Sequence, residues 1–208
     1  MTQVQAQCLE AHGRRSDVLA MGLFGLAVGA LTLGLAQLGA IPDRDYIGAL
    51  VIALAFGGLV QFFVGIVSTH HHEQLGGIAL TTYGLFWITV CLADLVSAGT
   101  TFRVSPMLYA ELNFAYFVFS AVMVYLTAYR SATLCLLFSV IAATCFLTFL
   151  ARLDLLTDTL PGIGHIVVGL MALYHAVGSV TYAFTGHELV PLGLPLLPRK
   201  TRSIQAAP

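Results

Sequence analysis

The chain has 208 residues, of which 58% are hydrophobic and 9% are charged, and its formal net charge is −1. Soluble domains carry about 25% charged residues, so this composition excludes a water-soluble fold, because lipid must cover the apolar surface. The near-neutral charge and the lack of a basic stripe also speak against a nucleic-acid partner.

Six stretches with almost no charge take up most of the chain. Each is long enough to cross the roughly 30 Å hydrocarbon core of a bilayer as a helix, which takes about 20 residues. The stretches are 18–38, 46–69, 74–93, 112–129, 131–151 and 159–186. The sequence therefore predicts an all-α integral membrane protein with six transmembrane helices per subunit. We expect a polar N-terminal tail (1–17), one transmembrane pore domain (18–186) and a C-terminal tail (187–208).

Turn and helix-breaking residues predict the limits of the helices. In chain order these limits are about 18–38, 46–69, 75–98, 106–129, 132–150 and 159–186. Pro161 suits the first turn of the last helix. Only Arg130 and Ser131 separate helices 4 and 5, so these two helices should be antiparallel neighbours.

The basic residues of the loops predict the orientation, because Lys and Arg concentrate on the cytoplasmic side of a membrane. One side of the predicted bundle carries Arg14, Arg15, Arg130, Arg199, Lys200 and Arg202. The other side carries only Arg44, Arg103 and Arg152. This asymmetry predicts that both termini are cytoplasmic.

The polar residues of the chain give no sign of an enzyme. No predicted helix contains a lysine, which excludes a retinal Schiff base, and there is no phosphate loop or nucleophile elbow. We predict no cofactor. The cysteines at 8, 91, 135 and 145 are interpreted as small buried hydrophobic residues.

The histidines are not predicted to bind a metal. His70 to His72 are consecutive, and neighbouring residues on a helix point about 100° apart. A solvated turn and a pH-responsive patch are both compatible with them. His175 should be buried and hydrogen-bonded, and a haem would need further histidines on a facing helix.

Glycines and one glutamine mark the interior of the bundle. The glycines recur at helix-packing spacings at 22, 25, 29, 57, 58, 65, 76, 77 and 84. They indicate either close helix packing or a narrow path lined by bare backbone.

Gln61 lies in the middle of helix 2, where an amide needs a hydrogen-bond partner or a wet cavity. The candidate partners are Thr32, Thr81, Thr82, Tyr83 and Asn113. This sparse, neutral set suits a small polar or weakly acidic solute.

Two segments around these residues resemble a known family. Residues 55–65 read AFGGLVQFFVG and resemble the FxGGxxQxxxG stretch of the acetate uptake transporter family, the succinate–acetate permeases or GPR1/FUN34/YaaH-like proteins. Gly76 followed by TYGLFW at 82–87 resembles the family's FG…YGxFW segment, and VPLG at 190–193 is similar to its LPIG ending. The family's NPAPLGL motif falls on DVLAMGL at 17–23, which indicates a divergent member.

The resemblance implies a multi-pass protein of a bacterial or archaeal plasma membrane, assembled as a homohexamer with one pore per subunit. It implies acetate contacts at Gly22, Gln61, Thr82 and Tyr83. It also implies a pore constriction formed by Leu26, Tyr83 and Ile141.

We therefore expect a membrane channel or transporter for small monocarboxylates such as acetate, with succinate as a further candidate. Uptake should be favoured at low pH, because the neutral acid crosses an apolar constriction more easily than the anion. Two alternatives remain at this point. One is a channel for a small neutral solute such as urea, ammonia or water, and the other is a membrane sensor or anchor subunit that uses His70 to His72.

Overall fold

The computed structural model describes the backbone of residues 3–198 and the side chains of residues 18–198. Within these limits the chain contains helices and no β-strand. The helices are α1 (Gln3–Gln37), α2 (Tyr46–Ile52), α3 (Gln61–His70), α4 (Gln74–Gly99), α5 (Pro106–Thr127), α6 (Ala132–Arg152) and α7 (Thr159–Thr185). A π-helical segment, Ala53–Val60, joins α2 to α3, and Asp43–Asp45 forms a 3₁₀ turn before α2.

Six helical units are long and apolar enough to cross a membrane, which confirms the predicted number of spans. The second unit, Asp43–His70, combines α2, the π-helical segment and α3. Two features differ from the expected helix limits. The helix α1 begins at Gln3, inside the predicted polar tail, and the second span is π-helical in its middle.

Local capping signals explain several helix limits. The side chains of Ser105 and Ser131 accept hydrogen bonds from backbone N–H groups in the first turns of α5 and α6. Pro106 occupies the first turn of α5, where its missing N–H costs nothing. Gly186 ends α7 in the left-handed conformation that glycine adopts without strain.

Small residues let the central helices touch through their backbones. The helix α1 packs against α7, α3 and the π-helical segment. A Cβ atom at Gly29 would lie only 2.8 Å from the Cα atom of Gly57, and one at Gly84 would lie 2.6 Å from the backbone nitrogen of Phe62. Helices in lipid associate through such close contacts, because lipid removes the hydrophobic drive between them. These contacts confirm that the glycine pattern serves helix packing.

The helix α5 packs along α6, which confirms that these helices are neighbours, but its backbone hardly approaches α4. Side-chain hydrogen bonds connect α4 and α5 instead. They join Tyr109 Oη to Asp94 Oδ1 (2.6 Å), Tyr116 Oη to the Thr82 carbonyl (2.7 Å) and Tyr83 Oη to Ser120 Oγ (2.6 Å). The space between α4 and α5 is therefore spanned by side chains rather than closed by backbone packing.

Residues 190–198, which we call the C-terminal strap, cross the bundle beside the link between α5 and α6. The carbonyl of Leu192 accepts a hydrogen bond from the N–H of Thr133, and that of Leu194 accepts one from Ala132. These bonds satisfy N–H groups at the start of α6 that have no partner within the helix.

Candidate functional site

A cavity of about 390 Å³ lies at one end of the bundle, which we call the Asp94 end. This Asp94 vestibule is lined by Asp94, Tyr109, Arg152, Asp158 and eleven further residues that include Trp87 and His165. The hydroxyl of Tyr109 donates to Asp94, and the guanidinium of Arg152 lies 5.8 Å from the centre of the Tyr109 ring. Arg152 is 37% exposed and lies 4.0 Å from Asp158, so a carboxylate balances its charge within the vestibule.

A second cavity, of about 30 Å³, shares Phe86, Trp87 and His165 with the vestibule. We call it the Tyr83 cavity. The three residues of the predicted constriction, Leu26, Tyr83 and Ile141, all line it, and all three are buried. The structure thus brings together side chains from α1, α4 and α6 that the resemblance had assigned to one place.

Two further cavities lie toward the opposite end, which we call the Arg130 end. The Leu80 cavity, of about 30 Å³, is lined by Leu80, Phe138 and other mostly apolar residues. The Arg130 cleft, of about 1080 Å³, lies beside the C-terminal strap and shares Leu75 and Arg130 with the Leu80 cavity. Arg130 forms an ion pair with Glu73 at this border.

The four cavities follow one line through the bundle. On α4 the lining residues, from the Asp94 end to the Arg130 end, are Asp94, Trp87, Tyr83, Leu80 and Leu75. On α6 the lining residues, taken in the same direction, are Arg152, Ile141, Phe138 and Leu134. The stretch of α4 from Asp94 to Leu75 is about 28 Å long, close to the roughly 30 Å thickness of a bilayer core.

The line is closed in this conformation. The rings of Tyr83 and Phe138, which lie between the two small cavities, have centres 5.9 Å apart. Phe119 packs on the edge of the Tyr83 ring at 5.4 Å. Each small cavity has room for only about one or two water molecules. A larger solute can pass only if these aromatic side chains move.

Comparisons with known proteins identify the family. The sequence profile of the GPR1/FUN34/yaaH family matches residues 3–190. The chain belongs to this family. The finding confirms the family that the motifs of helices 2 and 3 resemble.

Two relatives of this GPR1/FUN34/yaaH protein have similar lengths. An uncharacterised protein of Methanothermobacter thermautotrophicus strain Delta H is 23% identical over 181 residues, which are 82% of this chain and 88% of that protein. The structure of the bacterial acetate channel SatP matches with a TM-score of 0.78 and 22% identity, over 85% of this chain and 98% of SatP. The chain therefore has the same fold as SatP.

The other predicted contact residues of this family member lie outside the four cavities. Gln61 is completely buried, and neither atom of its amide group has a hydrogen-bond partner among the described residues. The expected bonds to threonine or tyrosine hydroxyls are therefore not formed. Gly22 packs against Leu80, whose Cδ1 atom would lie 2.6 Å from a Cβ at position 22. The carbonyl of Thr82 accepts the hydrogen bond from Tyr116.

Sequence reasoning missed four residues of the site. Trp87 lines both the vestibule and the Tyr83 cavity, and its position four residues after Tyr83 on α4 was the signal. Phe138, Ser120 and Arg130 carried no such signal, because their partners lie on other helices.

The structure confirms that His175 is buried and hydrogen-bonded, and the exposure of His70 to His72 is compatible with both interpretations given for them. His70 to His72 are exposed at the end of α3. His175 is buried, and its Nδ1 atom lies 3.0 Å from Thr133 Oγ1. His165 Nδ1 lies 2.9 Å from Gln37 Oε1 and its ring packs on the edge of Trp87.

The described cysteines, Cys91, Cys135 and Cys145, are buried and free, as expected. The expectation for Cys8 lies outside the residues whose side chains are described. So do the orienting charges of Arg14 and Arg15 and of the basic residues 199–202.

Proposed function

We propose that this chain is a membrane channel or transporter for small monocarboxylic acids, with acetate as the representative substrate. The line of four cavities, which narrows to about 30 Å³ at Tyr83, carries the proposal. The likeness in fold to the bacterial acetate channel SatP supports it.

The charges along the line suit a weak acid that crosses the middle in its neutral form. The vestibule is lined by Arg152 together with the carboxylates of Asp43, Asp94 and Asp158, and Arg130 at the opposite end is paired with Glu73, so neither mouth has an excess of positive charge. The middle is lined by uncharged side chains. A bare carboxylate in the apolar middle costs several kcal/mol or more, because it loses its water.

The neutral acid avoids this cost, so flux should rise as the pH falls toward the pKa of the carboxyl group, which lies at roughly 4 to 5 for simple acids. Succinate carries a second carboxyl group, which adds a second desolvation cost. We therefore expect succinate to pass more slowly than acetate.

We further propose a homohexamer with one path per subunit, placed in a bacterial or archaeal plasma membrane with both termini cytoplasmic. The span formed by α5 is only 22% buried within the subunit. Large apolar side chains such as Phe114, Val118 and Val122 are exposed on it. They offer a surface for lipid or for a neighbouring copy.

Acetate flux into liposomes tests the proposal. The purified protein is reconstituted with a pH-sensitive dye inside, and acetate is added at about pH 5 and about pH 7. We expect faster acidification than in protein-free liposomes, with the larger excess at the lower pH. Equal rates with and without protein at both pH values would refute the proposed function.

A channel for a small neutral solute is the second candidate, because the Tyr83 cavity is uncharged and of the size of one or two water molecules. The same liposomes exposed to urea, ammonia or an osmotic step separate the two candidates. Replacement of His70 and His71 by Ala tests the sensor alternative. Their side chains line none of the four cavities, so acetate flux should persist in that variant.

A further inference from the structure

An ion pair connects two helical hairpins of the bundle at the Arg130 end. Glu73 lies in the turn between α3 and α4, and Arg130 lies in the link between α5 and α6. The carboxylate and the guanidinium are in direct contact, and their side chains are 18% and 33% exposed. The pair therefore joins two turns that are far apart in the chain, at a place only partly shielded from water.

Side chains determine how far apart these two hairpins lie, because their backbones hardly approach each other. The three hydrogen bonds between α4 and α5 involve Thr82, Tyr83 and Asp94 on α4. Even Thr82 lies about 12 Å along the axis from the first residue of α4. The ion pair of Glu73 thus holds the hairpins together at an end that these hydrogen bonds do not reach.

The same pair lies at the point where the path narrows from the Arg130 cleft into the Leu80 cavity. The cleft has a volume of about 1080 Å³ and the cavity about 30 Å³. Arg130 lines both of them, whereas Glu73 lines the cleft. A Cβ atom at Gly76, which lines the cavity, would lie 3.5 Å from Glu73 Cγ. The paired side chains therefore stand between the cleft and the cavity.

The carboxylate of Glu73 has a second favourable position within reach. Glu73 is the N-cap residue of α4, yet its side chain accepts no hydrogen bond from the first turn of that helix. Side-chain oxygen atoms at an N-cap commonly accept such a bond, and the N-terminus of a helix favours negative charge. A carboxylate that leaves Arg130 can be stabilised there, which lowers the free energy needed to break the pair.

We propose that the Glu73–Arg130 pair is a latch that closes the Arg130 end of the path, and that this end opens when the pair breaks. The inference rests on the proposed function and adds to it the groups that control access from one side. The latch is separate from the closure by Tyr83 and Phe138, which lies between the two small cavities.

The reactivity of a thiol in the Leu80 cavity tests the latch. Ala79 lines this cavity and is 5% exposed, so Ala79→Cys reports whether water and reagents enter it. The purified protein in detergent is treated with a cationic methanethiosulfonate reagent, and mass spectrometry measures the rate of modification at position 79. We expect this rate to rise about fivefold when Glu73→Gln or Arg130→Gln is added to Ala79→Cys.

The two single changes separate a latch from simple attraction of the reagent. Glu73→Gln and Arg130→Gln alter the local charge in opposite directions but break the same pair. Attraction of a cationic reagent alone would slow the modification in the first variant and accelerate it in the second. The exchange of Glu73→Arg together with Arg130→Glu forms the pair again, and should return the rate to that of Ala79→Cys alone.

Native Cys135 provides the control in every variant. It is buried near the start of α6, at the same end of the bundle, and lines none of the four cavities, so its rate should not change. Salt supplies a second measurement if a variant fails to fold. Because salt screens a partly exposed ion pair, the rate at position 79 in Ala79→Cys should rise between about 0.05 M and about 1 M salt.

Equal rates at position 79 with and without the pair would overturn the latch, as would opposite changes in the two single variants or a rate that salt leaves unchanged. An equal acceleration at Cys135 would also overturn it, because it would show a general loosening of this end. None of these outcomes depends on acetate flux. A wild-type protein without flux would instead refute the proposed function, while the thiol rates still decide whether the pair closes the cavity.

Discussion

The amide of Gln61 provides a prediction with two readouts. It is completely buried and unpartnered at both of its polar atoms, and an unsatisfied buried polar group costs about 1–3 kcal/mol. Methionine has a similar length and no amide, so Gln61→Met keeps the volume and removes the cost. We expect the free energy of unfolding to rise by about 2 kcal/mol. For a chain of this size that corresponds to a melting temperature higher by about 4–8 °C.

A matched substitution at another glutamine should lower the free energy of unfolding instead of raising it. Gln37→Met removes an amide whose oxygen lies 2.9 Å from His165 Nδ1, and so breaks that hydrogen bond. We expect a loss of about 1 kcal/mol. Thermal unfolding in the same detergent gives the melting temperatures of both variants relative to the wild type. If Gln61→Met lowers the melting temperature as Gln37→Met does, the amide of Gln61 has a partner in the membrane and the reasoning is refuted.

Acetate flux of the same variants addresses the binding role that the resemblance implies for Gln61. A substrate contact at Gln61 predicts that Gln61→Met is more stable but slower. Residues that bind ligands commonly show this opposition, because a polar group aimed at a ligand has no partner in its absence.

Three further predictions concern packing and the closed path. Gly84→Ala should lower the free energy of unfolding by about 1–3 kcal/mol, because its Cβ would lie 2.6 Å from the backbone of α3, while Gly48→Ala, with nothing within 4 Å, should be neutral. Glu73→Gln breaks the ion pair with Arg130 and should lower stability by about 1 kcal/mol at low salt and by less at high salt, as melting curves at the two ionic strengths would show. Phe138→Ala removes one of the two rings that close the path, and should raise the liposome flux of four-carbon acids relative to acetate; an unchanged ratio would contradict the closure described.

The spans and their links were predictable because local physics sets them. Hydropathy and length define a membrane helix, and Ser105, Pro106 and Gly186 mark helix ends through their own backbone preferences. The π-helical segment was not predictable. All of its residues, Ala53–Val60, are apolar or glycine. The segment therefore has no polar residue whose spacing could distinguish a π-helix from an α-helix.

Only those residues of the site that lie in family motifs, or that align with the family, were predictable from the sequence. Tyr83 lies in a motif that resembles the family, and its neighbours Leu26 and Ile141 followed from alignment to that family. Ser120 on α5 and Phe138 on α6 contact Tyr83 on α4 through their side chains. These contacts depend on how all the helices pack, which sequence spacing within one helix does not encode.

A pair of tryptophan variants tests most directly whether the line of cavities is the transport path. Ile141→Trp places a larger side chain in the Tyr83 cavity, whereas Leu136→Trp places the same side chain on the outer surface of the same helix, where Leu136 is 57% exposed. We predict that Ile141→Trp abolishes acetate flux in liposomes and that Leu136→Trp keeps it. Wild-type flux in a correctly folded Ile141→Trp protein would show that acetate passes elsewhere.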